Sequence, residues 1–581
     1  MRIQRNCLLV CGWCVLTAIV VSAAPTRPTR APHVMVASIH ELASHAGVEM
    51  LRSGGNAVDA AVATGFALAV VYPEAGNLGG GGFLLLRNAD GKVHFIDFRE
   101  KAPAAATENM YLDAAGNVLP ESNKESSVVG YRSIGVPGTV AGLIYAEKQY
   151  GKLSIEKVMA PAIRLARDGF RLAAQDTQDL KDDQYLAEFR ESRRIFLRNR
   201  NYYQPGDLFQ QPELARTLQR LAKDPDTFYH GAMARELAAA IQKGGGLVTA
   251  KDLAAYEIKE REPIRGSYRG YDIISAPPPS SGGVALIEIL NILEGFDLAK
   301  LGNHSPETIH LEAEAFRRAF YDRADFMGDP DFARIPVAQL IDKKYAAAWR
   351  DSIDLNHSSA SKDLKRPTFD ELERVAQSRA AAIREPQNTT HYSVVDAEGN
   401  AVAVTTTLND SFGSRVTAKG LGFLLNDEMD DFAAKQGVPN AYGLIQGPAN
   451  AIAPGKRPLS AMTPTIVLKD GKLFLVLGSP GGPRIITIVA NILIGVVDFS
   501  LNVQEAVNAP RFHNQWLPDE IVVEDGLSPA TMNVLQSKGH KVKVDHSRGD
   551  WGDGECIMID PKTGERLGAS DKRNNGKAVG Y

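Results

Sequence analysis

Residues 385–410 read EPQNTTHYSVVDAEGNAVAVTTTLND. A charged stretch gives way at Thr389-Thr390 to period-two alternation, HYSVVD. A turn signal follows at Glu398-Gly399-Asn400, and then a second strand, AVAVTTTL. Alternation on both sides of a glycine-bearing turn predicts a β-hairpin. Packing alone asks for no pair of hydroxyls at its start. A threonine hydroxyl is a weak nucleophile unless a base removes its proton, and an N-terminal threonine carries that base as its own α-amine. Such an amine titrates near about 7.7–8, where a general base works well. An internal threonine has no α-amine, so this chemistry requires a cut between Asn388 and Thr389. The hydroxyl of Thr389 would attack the Asn388 carbonyl, and hydrolysis of the resulting ester would free the amine. Threonine also favours strands for ordinary reasons, so the pair needs support from its surroundings.

Working outward, residues 354–388 are charged and poor in large apolar groups, which predicts a loosely held tail before the cut. Another hairpin, PTIVLKDGKLFLVLG, turns at Asp470-Gly471, and a helix follows at 484–496. Toward the N-terminus, FLLLRNADGKVHFIDFRE is a third hairpin, turning at Asp90-Gly91. NAVDAAVATGFALAVVYP is apolar nearly all round, which predicts a buried helix ended by Pro73. Residues 100–350 read as mostly amphipathic helices. Helix-rich and strand-rich halves that share a sheet predict an α/β (α+β) layered sandwich. Periodicity does not give the strand order.

The chain has 581 residues, 44% hydrophobic and 23% charged, with a formal charge of −4. It shows no basic stripe, which argues against nucleic acid as a partner. Residues 1–23 combine Arg2 and Arg5, an apolar run over 7–21 and small residues after it, the pattern of a secretory signal peptide. The run is shorter than the roughly 20 residues that span a bilayer. Cleavage would remove three of the four cysteines and leave Cys556, with 63 basic against 69 acidic residues, a net charge of −6. The mature protein would have no disulfide and no membrane attachment, and its location would be periplasmic or secreted.

Several other motifs accompany the hairpin. GGNAVDAAVA, NLGGGGF and DFREKAP come before it. TTTLN, GFLLNDEMDDF, KRPLSAMTPT and GSPGG lie within or after it. In this order, over nearly the whole mature chain, they resemble the γ-glutamyltranspeptidase family. The resemblance implies a four-layer αββα sandwich of the N-terminal nucleophile hydrolases. It also implies self-cleavage into a large subunit, 24–388, and a small subunit, 389–581, which together make one heterodimeric fold.

The implied roles are as follows. Thr389 is the nucleophile and Thr407 its hydroxyl neighbour. Gly481 and Gly482 stabilise the oxyanion, where the absence of side chains lets backbone N–H groups approach. Arg99 and Ser460 take the substrate carboxylate, as an arginine fork suits. Asn409, Glu428 and Asp431 take its ammonium, and Tyr442, in PNAYGLIQG, gates the site. The implied substrates are glutathione and other γ-glutamyl compounds, with water, amino acids or dipeptides as acceptors and no cofactor. The rival on the same scaffold is an amide acylase acting on glutaryl groups, and a non-catalytic exported binding protein is a third reading. One position departs from the family pattern: Ala461 stands where a second serine usually follows Arg-Pro-Leu, which predicts weaker glutamyl binding.

Other readings fall away. NDEMDD at 426–431 lacks the spacing of a calcium loop. His40-Glu41…His45 is spaced five rather than four apart, unlike a zinc helix, so no metal is expected. GSPGG is not a nucleophile elbow, which sets Ser479 aside. The four glycines at 79–82 are read as allowing close backbone packing.

Overall fold

The computed structural model describes residues 26–368, 389–435, 446–547 and 549–581. The central hairpin forms from Thr390–Val395 and Ala401–Thr407, paired antiparallel with Thr390 opposite Thr406. Asp396 builds the turn, its carboxylate accepting from the N–H groups of Glu398 and Asn400, each at 2.9 Å. This turn fixes the register, and a one-residue slip would send every side chain to the other face.

The hairpin lies in the middle of a seven-stranded antiparallel sheet. The order across it is Lys577–Gly580, Met35–Ser38, Thr390–Val395, Ala401–Thr407, Gly81–Arg87, Val93–Asp97 and Lys259–Arg261. A second sheet of seven antiparallel strands runs Thr29–Ala31, Arg566–Ala569, Cys556–Ile559, Lys472–Leu477, Thr465–Lys469, Tyr271–Ser275 and Ile264–Tyr268. Each sheet takes strands from both sides of residue 389, so neither half of the chain holds a complete sheet.

Helices Glu41–Arg52, Ala57–Val71 and Thr139–Tyr150 cover the outer face of the hairpin sheet. Helices Gly282–Leu293, Pro306–Phe326 and Arg484–Val497 pack on the core of the second. The sheets meet face to face, giving four αββα layers. Alternation along Thr390–Val395 survives, but both faces are buried. Tyr392 and Val394 join the core under the outer helices. His391 and Ser393 point between the sheets: His391 bonds Thr405 of the neighbouring hairpin strand at 2.9 Å, and Ser393 donates to the Glu555 carbonyl at 2.7 Å.

The helix Ala57–Val71 is buried at every residue, as its apolar surround predicts. The four glycines also behave as read. A Cβ on Gly80 would stand 1.9 Å from the Thr407 carbonyl oxygen, so the backbones touch directly there.

Two expectations are corrected. Pro306–Phe326, read as amphipathic, is buried on nearly every side, because its charges are satisfied internally. Glu314 pairs with Arg317 and Arg318, and Asp322 pairs with Arg366. The beginning of the segment read as loosely held is tied down. Ser361 donates to the Trp516 carbonyl at 2.6 Å, and Arg366 reaches Asp325 at 2.8 Å and lies 4.2 Å over the Tyr321 ring. The rest of that segment, the signal stretch, Asn388 and Tyr442 lie outside the described residues.

Candidate active site

Because Thr390 pairs with Thr406, the residues flanking that pair, Thr389 and Thr407, come opposite one another. Their hydroxyl oxygens are 3.3 Å apart, and both residues are buried. The Asn409 N–H donates to Thr407 Oγ1 at 2.9 Å and fixes that side chain. Asn409 adopts φ 84°, and its own amide donates to the Asp427 carbonyl at 3.2 Å.

Both threonines open on a cleft of about 340 Å³, counting space open to solvent. Arg99, Asn409, Glu428, Asp431, Ser460 and Gly482 line it too, so the predicted residues within the described part converge, Gly481 lying one residue along the same loop. Gly481 and Gly482 have φ of 130° and 51°, conformations that favour glycine. They end at Pro483, the cap of helix Arg484–Val497, so the positive end of a 14-residue helix points toward the cleft wall. Ser479 is occupied elsewhere, accepting from the Asp553 N–H at 3.0 Å.

Arg99 follows the strand Val93–Asp97. Its guanidinium ion-pairs with Glu428 through Nη1 and with Asp431 through Nη2, and donates to the Pro458 and Leu459 carbonyls at 3.3 and 3.1 Å. Burial opposes its charge, but Glu428 and Asp431 outweigh that and keep it protonated. Burial pushes the Glu428 carboxyl well up and raises its neighbour Glu100 to about 7, against the pull of Arg99 in both cases. Arg99 Nη1 holds Oε1 of Glu428, and the Glu100 carboxyl lies against the same group. Two buried acids, Glu428 and Asp431, line the cleft, which suits a ligand that brings N–H groups.

The sequence reading missed Glu100, Arg323, Met462, Pro483 and Ile485. Arg323 belongs to the buried helix Pro306–Phe326, where a charge at helical spacing reads as a solvated face. Ala461 lines the cleft, so the missing hydroxyl falls in its wall. Among the described residues, one cluster has metal-ligand chemistry, the buried trio His310, Glu314 and His540. The imidazoles bond each other at 2.8 Å, Glu314 is held by Arg317 and Arg318, and His540 Nδ1 is buried without a hydrogen-bond partner.

An αββα sandwich with a threonine at the head of a central strand defines an N-terminal nucleophile hydrolase, and the molecule is an enzyme of that class. Within it, the chain belongs to the gamma-glutamyltranspeptidase family, whose model matches residues 43–581. It is 49% identical over 551 residues to the glutathione hydrolase proenzyme of Escherichia coli (strain K12), covering 94% of this chain and 92% of the relative. Among solved structures, cephalosporin acylase from Bacillus halodurans matches with a TM-score of 0.80 at 27% identity, covering 98% of this chain and 99% of that one. The γ-glutamyltranspeptidase of Helicobacter pylori is 44% identical with a TM-score of 0.55, covering 59% of this chain and 97% of that one. Among the described residues, no helix is long and apolar enough to cross a membrane.

Proposed function

We propose that the chain cleaves itself between Asn388 and Thr389 and then transfers γ-glutamyl groups from glutathione and related compounds. The Thr389 hydroxyl attacks the γ-carbonyl, and its freed α-amine takes the proton. N–H groups of Gly481 and Gly482 receive the oxyanion. The amine product leaves, and the γ-glutamyl ester passes to water or to the amine of an amino acid or peptide. Thr407 orients the nucleophile. Arg99 and Ser460 hold the α-carboxylate, while Asn409, Glu428 and Asp431 accept from the α-ammonium. Tyr442 closes the cleft.

The observation that carries this reading is the 3.3 Å contact between Thr389 and Thr407 in a cleft that is also lined by the buried acids Glu428 and Asp431. The acid pair separates γ-glutamyl transfer from glutaryl hydrolysis, because a glutaryl group has no ammonium to meet it. The two product chains, 24–388 and 389–581, remain one fold, since each supplies strands to both sheets. The N-terminal signal pattern supports export, to the periplasm or beyond it.

The test is parallel turnover of γ-glutamyl and glutaryl anilides by protein whose intact mass is known. Two chains, the smaller beginning at Thr389, and faster γ-glutamyl turnover are expected. Faster glutaryl turnover would move the assignment to an acylase. One uncut, inactive chain would remove the mechanism.

A further inference from the structure

The loop Gly478-Ser479-Pro480-Gly481-Gly482 leads from strand Lys472–Leu477 toward helix Arg484–Val497. The N–H groups assigned to the oxyanion belong to its peptides 480–481 and 481–482. Neither donates to a backbone carbonyl among the described residues. A trans peptide is planar and sets its C=O and N–H in opposite directions. Whatever holds the carbonyl of one residue therefore aims the N–H of the next. The Gly481 carbonyl accepts from the Arg484 N–H at 2.9 Å, so the first turn of the helix fixes the Gly482 N–H. The Gly481 N–H depends instead on the Pro480 carbonyl, and no backbone N–H among the described residues bonds to that oxygen.

Ser479 does for that peptide what the helix does for the next. Its hydroxyl accepts from the Asp553 N–H at 3.0 Å and donates to the Pro480 carbonyl at 2.7 Å. The residue is completely buried. Gly552 closes over the bond: a Cβ there would stand 2.5 Å from both Ser479 Oγ and the Pro480 oxygen. The other end of the loop is seated on the strand that carries Thr389. A Cβ on Gly478 would stand 2.3 Å from the His391 ring, so loop and strand are in direct contact. The Pro480 carbonyl is thus held between a buried hydroxyl and the Gly552 backbone, in a loop whose start is braced on the nucleophile strand.

We infer that Ser479 is a positioning residue for the oxyanion: by holding the Pro480 carbonyl back toward Gly552, it aims the Gly481 N–H at the charge that develops on the substrate oxygen. It touches no substrate atom itself. This rests on the γ-glutamyl reading above. The oxyanion exists only at the tetrahedral stage, so the hydroxyl acts on turnover and leaves binding of the ground state alone. Formation and hydrolysis of the γ-glutamyl ester both pass through such a stage. Both steps slow together when the aim is lost, and KM stays where it was.

The test compares wild type, Ser479→Ala and Ser479→Thr in hydrolysis of a γ-glutamyl anilide without an acceptor. Two inhibitors are measured beside it: free glutamate, which develops no charge, and a boronate analogue of the γ-glutamyl group, whose boron becomes tetrahedral and anionic on the Thr389 hydroxyl. Removing an oxyanion donor outright costs about 10²–10³ in kcat, so Ser479→Ala, which only loosens one, is expected to lower kcat about tenfold. KM and the affinity for glutamate should stay within about twofold, while boronate affinity falls by the same factor as kcat. Ser479→Thr keeps the hydroxyl and should recover most of the loss. An unchanged kcat, a loss of glutamate affinity equal to the loss in kcat, or a boronate affinity that holds while kcat falls would each overturn the inference. So would a Ser479→Ala chain that fails to cleave itself, which would make Ser479 a residue of the precursor fold. Wild type that ignores the γ-glutamyl anilide would instead sink the functional reading itself.

Discussion

Thr389 and Thr407 place their hydroxyls 3.3 Å apart across two neighbouring strands, although 17 residues and a turn separate them in the chain. Strand pairing fixes that distance, and the Asn409 N–H fixes the rotamer of Thr407. Thr407→Ala removes the second hydroxyl and leaves the strand intact. Self-cleavage should slow about 10²-fold, the scale of one positioned proton-handling group, while Thr407→Ser stays near wild type. Intact-mass time courses after expression would show it. Equal cleavage rates in the Ala and Ser variants would remove Thr407 from the reaction.

Gly80 offers a probe of the same geometry from the far side. A Cβ there would meet the Thr407 carbonyl oxygen at 1.9 Å, so Gly80→Ala must move one strand away from the other. Overpacking of this kind costs about 1–3 kcal/mol, which a core this large tolerates. The expected product is a folded but largely uncut chain, with near-native circular dichroism and a lower Tm. Normal cleavage would mean that the strand end absorbs the methyl without displacing Thr407.

Ala461 lies in the cleft wall beside Ser460, where a second hydroxyl is missing. A hydrogen bond to a charged group contributes about 1.5–3 kcal/mol, so Ala461→Ser should lower KM for a γ-glutamyl donor roughly tenfold or more. The kcat should change little, because the bond is present before and during the reaction. An unchanged KM would show that the carboxylate needs no donor at that position.

The hairpins were legible because their determinants are local: alternation, the Asp396 turn and the Asp-Gly turns all lie within a few residues. The strand order was not, since the other neighbour of Thr390–Val395 comes from Met35–Ser38, and local pattern carries no information about distant partners. Thr389 follows from the chemistry of an N-terminal threonine, whereas Thr407 and the glycine loop come through the family resemblance. Arg99 came only through the family resemblance, as nothing in DFRE marks it. Arg323 escaped because its helix carries charges at spacings that look solvated. The partners of that helix, Ser281 for Arg323 and Arg366 for Asp322, arrive from elsewhere in the fold.

Buried histidines give a prediction about acid stability. Burial, with Arg484 adding to it, pulls His513 down to about 3, and burial alone pulls His391 to about 3. An unfolded histidine titrates near about 6.5. Between those values the unfolded chain binds protons that the fold refuses, so the contribution is complete above about pH 6.5 and is lost as pH falls. Each histidine accounts for about 1.4 kcal/mol per pH unit in that window. Glu147 and Glu312, raised by burial to about 9 and about 8, act in the opposite sense and stabilise the fold as pH falls. The raw slope of Tm against pH is therefore a mixture, and the difference between two proteins isolates one group. His513 bonds Thr487 at 2.8 Å and Gln515 at 2.9 Å, contacts that a neutral glutamine partly replaces. His513→Gln should lower Tm at pH 7.5, and the gap to wild type should shrink steadily toward pH 5. Parallel curves would mean that His513 gains its proton without resistance from the fold, and that its burial carries no acid penalty.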